Sequence, residues 1–217
     1  MTLGRRMLGW VLRGIAALVL LIIAVIGGIN LYIQLPAKPP IALDSQSVGY
    51  FAYGSNMNLR YFTRVRGITP AASQAARLDG YEVVFNLPGL PDLEPTFANL
   101  APAKGQIAFG VLHQISQDDL QSVIASEGPS YRVVDVTVVL ADGSTAKAKT
   151  LFSAESLKES GVPSRRYLSL LFEAAQNNEF PAAVTDGYDP DEGAYVPVLS
   201  ELLGALIHTI VWLSARL

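Results

Sequence analysis

The order of the elements predicted along the chain favours an α+β fold or a closed mixed β-barrel of about 150 residues. Two observations support this prediction. Short β-branched and aromatic stretches alternate with helical patterns in the order β-α-β-loop-β-α-β-β-α. In addition, Asp142-Gly143 separates two stretches of alternating polarity, which is the sequence pattern of a β-hairpin.

The individual elements follow from local composition. The strands are predicted over 48–53, 81–86, 107–115, 131–140 and 145–152. The helices are predicted over 58–66, 116–126 and 164–178. Ser116 and Asp119 form a capping-box pattern at the start of the second helix. Residues 86–105 contain four prolines and two glycines and are predicted to form a long loop.

Composition excludes several classes of protein. Of 217 residues, 50% are hydrophobic and only 16% are charged, against about 25% in an average soluble domain. Cysteine is absent, which excludes disulfides, zinc–thiolate sites and a thiol nucleophile. With two histidines and a net charge of −3, neither a polyhistidine metal centre nor nucleic-acid binding is expected.

The N-terminal region has the pattern of a membrane anchor. A basic segment, 1–13, precedes twenty apolar residues, 14–33, and a proline-rich linker, 34–47, follows. Twenty helical residues span about 30 Å, the thickness of the hydrocarbon core. A single-pass transmembrane helix is therefore predicted, and a cleaved signal peptide is the alternative. The preceding arginines place the N-terminus in the cytoplasm and the remaining chain on the other side.

The C-terminal segment 198–217 is also apolar, with leucines and isoleucines at helical spacing. Because only 14 residues separate Glu201 from Arg216, we expect a helix that lies on the membrane or packs against the anchor. A second short span is the alternative. Between the two apolar ends, 48–197 is predicted to be the folded domain.

Two features of this domain have the potential for chemistry. The turn Gly54-Ser55-Asn56 follows a strand and precedes a helix, so its backbone N–H groups can form an anion or oxyanion site. Glu127 lies where a helix ends and a strand begins, and its apolar surroundings suit a general acid/base. Neither histidine is placed to activate Ser55, and the acidic stretch 186–192 lacks the spacing of a calcium loop.

Four segments in this order resemble the gamma-glutamylcyclotransferase (AIG2-like) superfamily. They are Tyr53-Gly54-Ser55-Asn56, the strand 105–115, Glu127-Gly128 with Tyr131, and the helix that carries Tyr167. The resemblance implies a small β-barrel and intramolecular aminolysis, in which the substrate's α-amine attacks its own γ-glutamyl carbonyl. The products are 5-oxoproline and a free amine, and neither a metal nor a cofactor is implied.

The resemblance also implies roles for individual residues. Glu127 would be the general acid/base, removing a proton from the α-ammonium and giving one to the leaving amine. The substrate-binding residues would be Tyr53, Gly54, Ser55, Asn56, Tyr131 and Tyr167. The partners would be a small γ-glutamyl compound and a lipid bilayer, contacted through 14–33 and in part 199–217.

The chain also departs from the family pattern. The glycines usual in the Tyr167 helix and before its closing proline are replaced, and Arg165 and Arg166 precede the tyrosine, where either could pair with an acidic substrate. A non-catalytic binding or assembly module on the same fold is therefore the alternative. That alternative predicts a Glu127 that is salt-bridged, exposed or remote from the Ser55 amide. The leaving amine and the oligomeric state stay open.

Overall fold

A computed structural model describes residues 3–42, 47–127, 131–154 and 156–216. Parts of the predicted basic segment and linker, together with Gly128 and Leu217, lie outside these residues. The predicted fold class is confirmed, since five strands form one closed mixed barrel with helices around it. The strands are β1 (Val48–Ala52), β2 (Ala72–Leu90), β3 (Glu94–Ile115), β4 (Tyr131–Leu140) and β5 (Thr145–Ser153).

The barrel follows the order β1-β3-β2-β4-β5. Its neighbouring strands are antiparallel except at the closure, where β1 runs parallel to β5 at Tyr50 and Lys149. The predicted hairpin at Asp142-Gly143 joins β4 and β5. Phe51, Val111 and Val138 are fully or almost fully buried and belong to one continuous hydrophobic core.

The prediction of a long loop over 86–105 is wrong. These residues form the distal half of a hairpin between β2 and β3, in which Pro88 pairs with Thr96 and Tyr81 pairs with Pro102. Strand β4 reaches β2 only at Ala76 and Arg77, so no third described strand pairs with this half of the hairpin. Its β2 edge instead accepts single backbone hydrogen bonds, from Leu157 at the Asn86 carbonyl and from Gly161 at the Phe85 carbonyl. Proline is tolerated at such edges because no neighbouring strand requires its missing N–H.

The helices agree with the predicted order. They are α1 (Leu3–Ile33), α2 (Leu59–Arg64), α3 (Gln117–Glu127), α4 (Arg165–Asn177), α5 (Ala182–Asp186) and α6 (Leu199–Ser214). The Ser116 hydroxyl accepts the Asp119 N–H at 3.0 Å and donates to its carboxylate at 2.8 Å, as the capping-box pattern predicts. The acidic stretch forms α5 and a short 3-10 turn, with Asp189 capping that turn.

The two apolar ends of the chain contact each other. The Asn30 amide near the end of α1 donates to the Ala205 carbonyl at 3.2 Å and the Thr209 hydroxyl at 3.4 Å, both on α6. The rings of Tyr32 and Trp212 meet edge to face. Residues Leu12–Ile33 of α1 are long and apolar enough to cross a membrane, and a signal sequence would have the same properties. Helix α6 is shorter than a full span.

Candidate active site

A small inner cavity of about 40 Å³ lies where one end of the barrel meets α3 and α4. All seven residues predicted for the site line this cavity: Tyr53, Gly54, Ser55, Asn56, Glu127, Tyr131 and Tyr167. The first four follow strand β1, whereas Glu127 ends α3, Tyr131 begins β4 and Tyr167 lies in the first turn of α4. The fold therefore gathers residues that lie more than a hundred positions apart.

Residues within and next to the turn after β1 stabilise its conformation. Residues Ser55–Met57 form one 3-10 turn, and the Asn58 side chain then caps α2 by accepting the Tyr61 N–H at 3.0 Å. Gly54 permits a close approach across the cavity, because a Cβ at this position would lie 2.8 Å from the Tyr167 hydroxyl. The turn consequently presents backbone rather than side chain towards that tyrosine.

The Glu127 carboxylate forms a salt bridge with Arg66, with 2.5 Å between Oε1 and Nη2. The same Oε1 accepts a hydrogen bond from the Asn56 amide at 3.2 Å. No described residue donates to Oε2. The carboxylate is therefore fixed through one oxygen, and its side chain keeps 20% exposure beside the cavity.

Arg66 was not among the predicted site residues. It lies beyond the end of α2, and its second terminal nitrogen donates to the Ser126 hydroxyl at 2.5 Å. Arg60 and Arg64 occupy the same short stretch, and nothing in the sequence distinguishes Arg66 from them. The salt bridge is the feature that the non-catalytic alternative predicted, although Glu127 also lines the same cavity as Ser55.

Buried tyrosines surround the carboxylate. Burial raises the pKa of Tyr50, Tyr131 and Tyr167, and the nearby charge of Glu127 raises each pKa further. These hydroxyls are therefore protonated at neutral pH and are available as hydrogen-bond donors. Tyr53 differs, because its hydroxyl donates to the Leu151 carbonyl at 2.7 Å and so belongs to the barrel wall.

Two buried polar atoms of the site lack a partner among the described residues. One is the Asn56 Oδ1, an acceptor, and the other is the Arg66 Nε, a donor. Unpaired buried polar atoms are costly in folded proteins and are enriched where a ligand supplies the partner. The site therefore has one unsatisfied acceptor and one unsatisfied donor beside a fixed carboxylate.

A wider outer cavity of about 420 Å³ shares Ser55, Glu127, Tyr131 and Tyr167 with the inner one. Its rim consists of residues outside the predicted list of site residues, although Arg166 was named as a candidate partner for an acidic substrate. The rim residues are Tyr61, Leu87, Pro88, Phe97, Arg166, Ile207 and Val211. The distal β2–β3 hairpin and α6, both far from the recognised motifs, therefore form the entrance.

The arginines before Tyr167 are both engaged within the chain. Arg166 forms a salt bridge with Glu94 at 2.5 Å. Arg165 pairs with Asp191 and stacks over the Tyr195 ring. Both guanidinium groups therefore already have a carboxylate partner within the chain.

His113 has a structural position, as expected. It is fully buried and stacks on Phe62, with 4.7 Å between the ring centroids. Its Nε2 lies 3.0 Å from the Asn56 carbonyl, so it carries the proton and donates, while Nδ1 accepts from the Ser73 hydroxyl at 2.7 Å. This contact supports the 3-10 turn from behind. Within the described residues, no cluster of three or more metal-ligating side chains exists.

The closed five-stranded barrel therefore brings a carboxylate, a backbone turn and protonated tyrosines together around one cavity. The sequence matches the family described as "Gamma-glutamyl cyclotransferase, AIG2-like" over residues 50–169, more than half of the chain. The chain belongs to this family, which confirms the resemblance and the predicted class of enzyme.

Individual relatives agree with this membership. The chain is 28% identical over 193 residues to the gamma-glutamyl cyclotransferase gliK of Aspergillus fumigatus, covering 76% of this chain and 70% of that protein. It is 26% identical to the gamma-glutamyl cyclotransferase verK of Clonostachys rogersoniana, covering 58% and 84% respectively.

Solved structures show the same fold. A human protein, loc79017, superposes with a TM-score of 0.60 at 21% identity, covering 74% of this chain and 99% of that one. A structure described as gamma-glutamyl cyclotransferase superposes with a TM-score of 0.59 at 20% identity, covering 73% and 98%.

Proposed function

We propose that this protein cyclises γ-glutamyl amines, peptides or amides to 5-oxoproline and releases the amine. The observation that carries the proposal is the single inner cavity in which Glu127, the turn after β1 and two protonated tyrosines meet. The family and the names of its relatives support the reaction class.

The charged groups of a γ-glutamyl substrate match the polar side chains of the inner cavity. Its α-ammonium would lie between Glu127 and the unsatisfied Asn56 Oδ1, an arrangement of one carboxylate and one neutral acceptor. Its α-carboxylate would take the unsatisfied Arg66 Nε–H or the backbone N–H groups of the turn. Binding at Asn56 Oδ1 and at Arg66 Nε would give the unpaired acceptor a donor and the unpaired donor an acceptor.

Glu127 would transfer the proton. It accepts one from the α-ammonium, the amine attacks the γ-carbonyl, and the protonated carboxyl then gives the proton to the leaving nitrogen. The second proton of the attacking nitrogen would also pass through Glu127, so that the lactam keeps one N–H and the amine leaves as an ammonium. The oxyanion that forms in between would be stabilised by the N–H groups of Ser55 and Asn56 and by a tyrosine hydroxyl. Oε1 is held by Arg66 and Asn56, so Oε2 would be the oxygen that exchanges the proton.

The decisive test is 5-oxoproline release by the full-length protein in detergent, using a panel of γ-glutamyl amines and peptides. We expect turnover of at least one compound, and about a thousandfold loss of kcat in Glu127→Gln. Asp118→Asn on the same helix is the matched control and should retain activity. Full turnover by Glu127→Gln would refute the assignment of the base.

The non-catalytic module remains the second candidate, and the Arg66–Glu127 salt bridge is the observation that favours it. An ion pair can serve purely to join α3 to the segment after α2. The same assay separates the two functions, because a binding module releases no 5-oxoproline from any member of the panel while still binding γ-glutamyl compounds in calorimetry.

We also propose that α1 anchors the protein in a membrane, with the N-terminus in the cytoplasm and the barrel on the other side. The support is the apolar helix Leu12–Ile33, only 6% of which is buried, with Arg13 near its start. Alkaline carbonate extraction should leave the protein in the membrane fraction, with α1 present by mass spectrometry. A mature chain lacking α1 would instead identify a signal peptide.

A further inference from the structure

The two parts of the active-site cavity differ in chemistry. The floor is polar, formed by Glu127, Arg66 and the tyrosines. The rim is largely apolar, with the side chains Leu87, Pro88, Phe97, Ile207 and Val211. In the cyclisation proposed above, the floor takes the glutamyl group, so the rim surrounds whatever is attached to the γ-carbonyl.

The charges around the outer cavity are already neutralised. Its charged lining residues are Arg66, Glu127 and Arg166, and within the described chain each has a partner, Arg66 with Glu127 and Arg166 with Glu94. A leaving group that carries its own carboxylate would have to share the rim cation Arg166 with the buried Glu94, which already binds its Nε. Desolvating such a charge without a partner is strongly unfavourable.

Helix α6 connects this rim to the apolar surface of the molecule. One face lines the cavity through Ile207 and Val211 and covers Arg166 at Gly204. The opposite face exposes an apolar stripe at helical spacing: Leu199, Leu202, Leu206, Ile210 and Leu213. The contacts of Asn30 with Ala205 and Thr209 place a further face of α6 against the end of α1.

We infer that the natural substrates are γ-glutamyl amides of apolar amines, whose alkyl or aryl group lies against α6 and the β2–β3 hairpin. The inference rests on the proposed cyclotransferase activity and adds the identity of the leaving group. The α-nitrogen bonds to the carbonyl carbon of the γ-glutamyl group, the bond from that carbon to the amine nitrogen breaks, and Glu127 carries protons from the first nitrogen to the second. An apolar amine leaves through a rim that matches it, and α6 places that rim beside the proposed membrane surface.

The test measures kcat/KM of the full-length protein in detergent with γ-glutamyl ethyl-, butyl- and hexylamide and with γ-glutamyl-alanine. We expect kcat/KM to rise by about threefold per added methylene while the chain contacts the rim. We expect γ-glutamyl-alanine, whose leaving group is anionic, to be at least about tenfold poorer than the butylamide. Equal or better turnover of γ-glutamyl-alanine would overturn the inference.

Two substitutions on adjacent residues of α6 provide a matched comparison. Val211→Thr places a hydroxyl on the cavity wall with little change in volume. It should therefore reduce the increase of kcat/KM with the length of the alkyl chain. Ile210→Thr changes the exposed face, where the side chain is 54% accessible, and should keep the wild-type dependence. A wild-type slope in Val211→Thr would contradict the inference. If Val211→Thr does not fold, the substrate series on the wild-type protein still decides.

The possible failures are distinguishable. If neither this series nor the wider panel of γ-glutamyl amines and peptides releases 5-oxoproline, the proposed cyclisation itself is refuted, and the assignment of the leaving group with it. If the panel contains substrates but the alkylamides are not turned over, only the apolar leaving group is refuted. If γ-glutamyl-alanine and the alkylamides are all turned over with similar efficiency, the cyclisation stands and only the apolar leaving group is refuted.

Discussion

Two arginine–glutamate pairs contribute to the same cavity and differ in what their carboxylates can still do. In the first pair, Glu127 is held by Arg66 and Asn56 through the single oxygen Oε1. In the second, both oxygens of Glu94 are engaged, Oε1 by Arg166 at 2.5 Å and Oε2 by the Ser164 hydroxyl at 2.7 Å. Only the first pair leaves a carboxylate oxygen available to a substrate.

The second pair orders the element that carries a site residue. Ser164 caps α4 by accepting the Tyr167 N–H at 3.1 Å, and the same hydroxyl donates to Glu94. Arg166 extends the connection to α6, with 3.4 Å between its Nη1 and the Nε2 of His208. The buried Glu94 pair therefore joins the β2–β3 hairpin, α4 and α6. Similar ion pairs can thus have different tasks, chemistry for one and assembly of the cavity for the other.

Replacing each glutamate should separate these tasks most clearly. Glu127→Gln is expected to lower kcat by about a thousandfold. Glu94→Gln leaves the Arg166 guanidinium without its partner in a buried position, and should lower the free energy of unfolding by about 3 kcal/mol. Its effect on kcat should be far smaller. Assays of 5-oxoproline release and thermal unfolding of both variants provide the comparison, and a similar kcat for both would contradict it.

Replacing the arginines gives a smaller and more specific effect. Arg66 contacts both Ser126 and Glu127, and one lysine ammonium cannot reproduce two diverging donors. Arg66→Lys should therefore lower kcat by about tenfold, because the carboxylate is no longer fixed in position. Arg166→Lys is the matched variant and should change kcat by less than about threefold. Equal losses in kcat would mean that both pairs merely stabilise the fold.

The sequence predicted the surroundings of the Arg66–Glu127 pair better than those of the Arg166–Glu94 pair. The turn after β1, Glu127, Tyr131 and Tyr167 belong to short motifs, so their meeting in one cavity could be expected from the resemblance. Arg66 could not, since only the folded chain brings it to Ser126 and Glu127.

The residues that form the rim of the outer cavity could not be assigned from the sequence, for physical reasons. The prolines of 86–105 suggested a loop, whereas a two-stranded ribbon accepts proline because no third described strand requires its missing N–H. Helix α6 is apolar on both its exposed and its cavity-lining face, so its sequence cannot show that Ile207 and Val211 line a cavity. Motifs therefore located the floor of the cavity, and only tertiary structure located its entrance.

One histidine supports each region, the fully buried His113 and the half-buried His208. His113 donates to the Asn56 carbonyl behind the Glu127 pair, and His208 lies against Arg166 of the Glu94 pair. The pKa of each imidazole is lowered to about 4, by burial in His113 and by burial together with the charges of Arg166 and Arg60 in His208. An unfolded histidine titrates near pH 6.5, at about its ordinary pKa.

Between about pH 4 and about pH 6.5, each unfolded histidine thus binds a proton that the folded one does not. Stability should consequently rise with pH across this window and become independent of these two groups above it. Each histidine contributes a slope of at most about 1.4 kcal/mol per pH unit. His113→Gln keeps an amide donor for Asn56 but cannot titrate in this range, so it should remove one histidine's share of the slope, as should His208→Gln. Thermal unfolding of the full-length protein in detergent at pH 4.5, 5.5, 6.5 and 7.5 measures this, and an unchanged slope in either variant would show that its imidazole is protonated in the folded state.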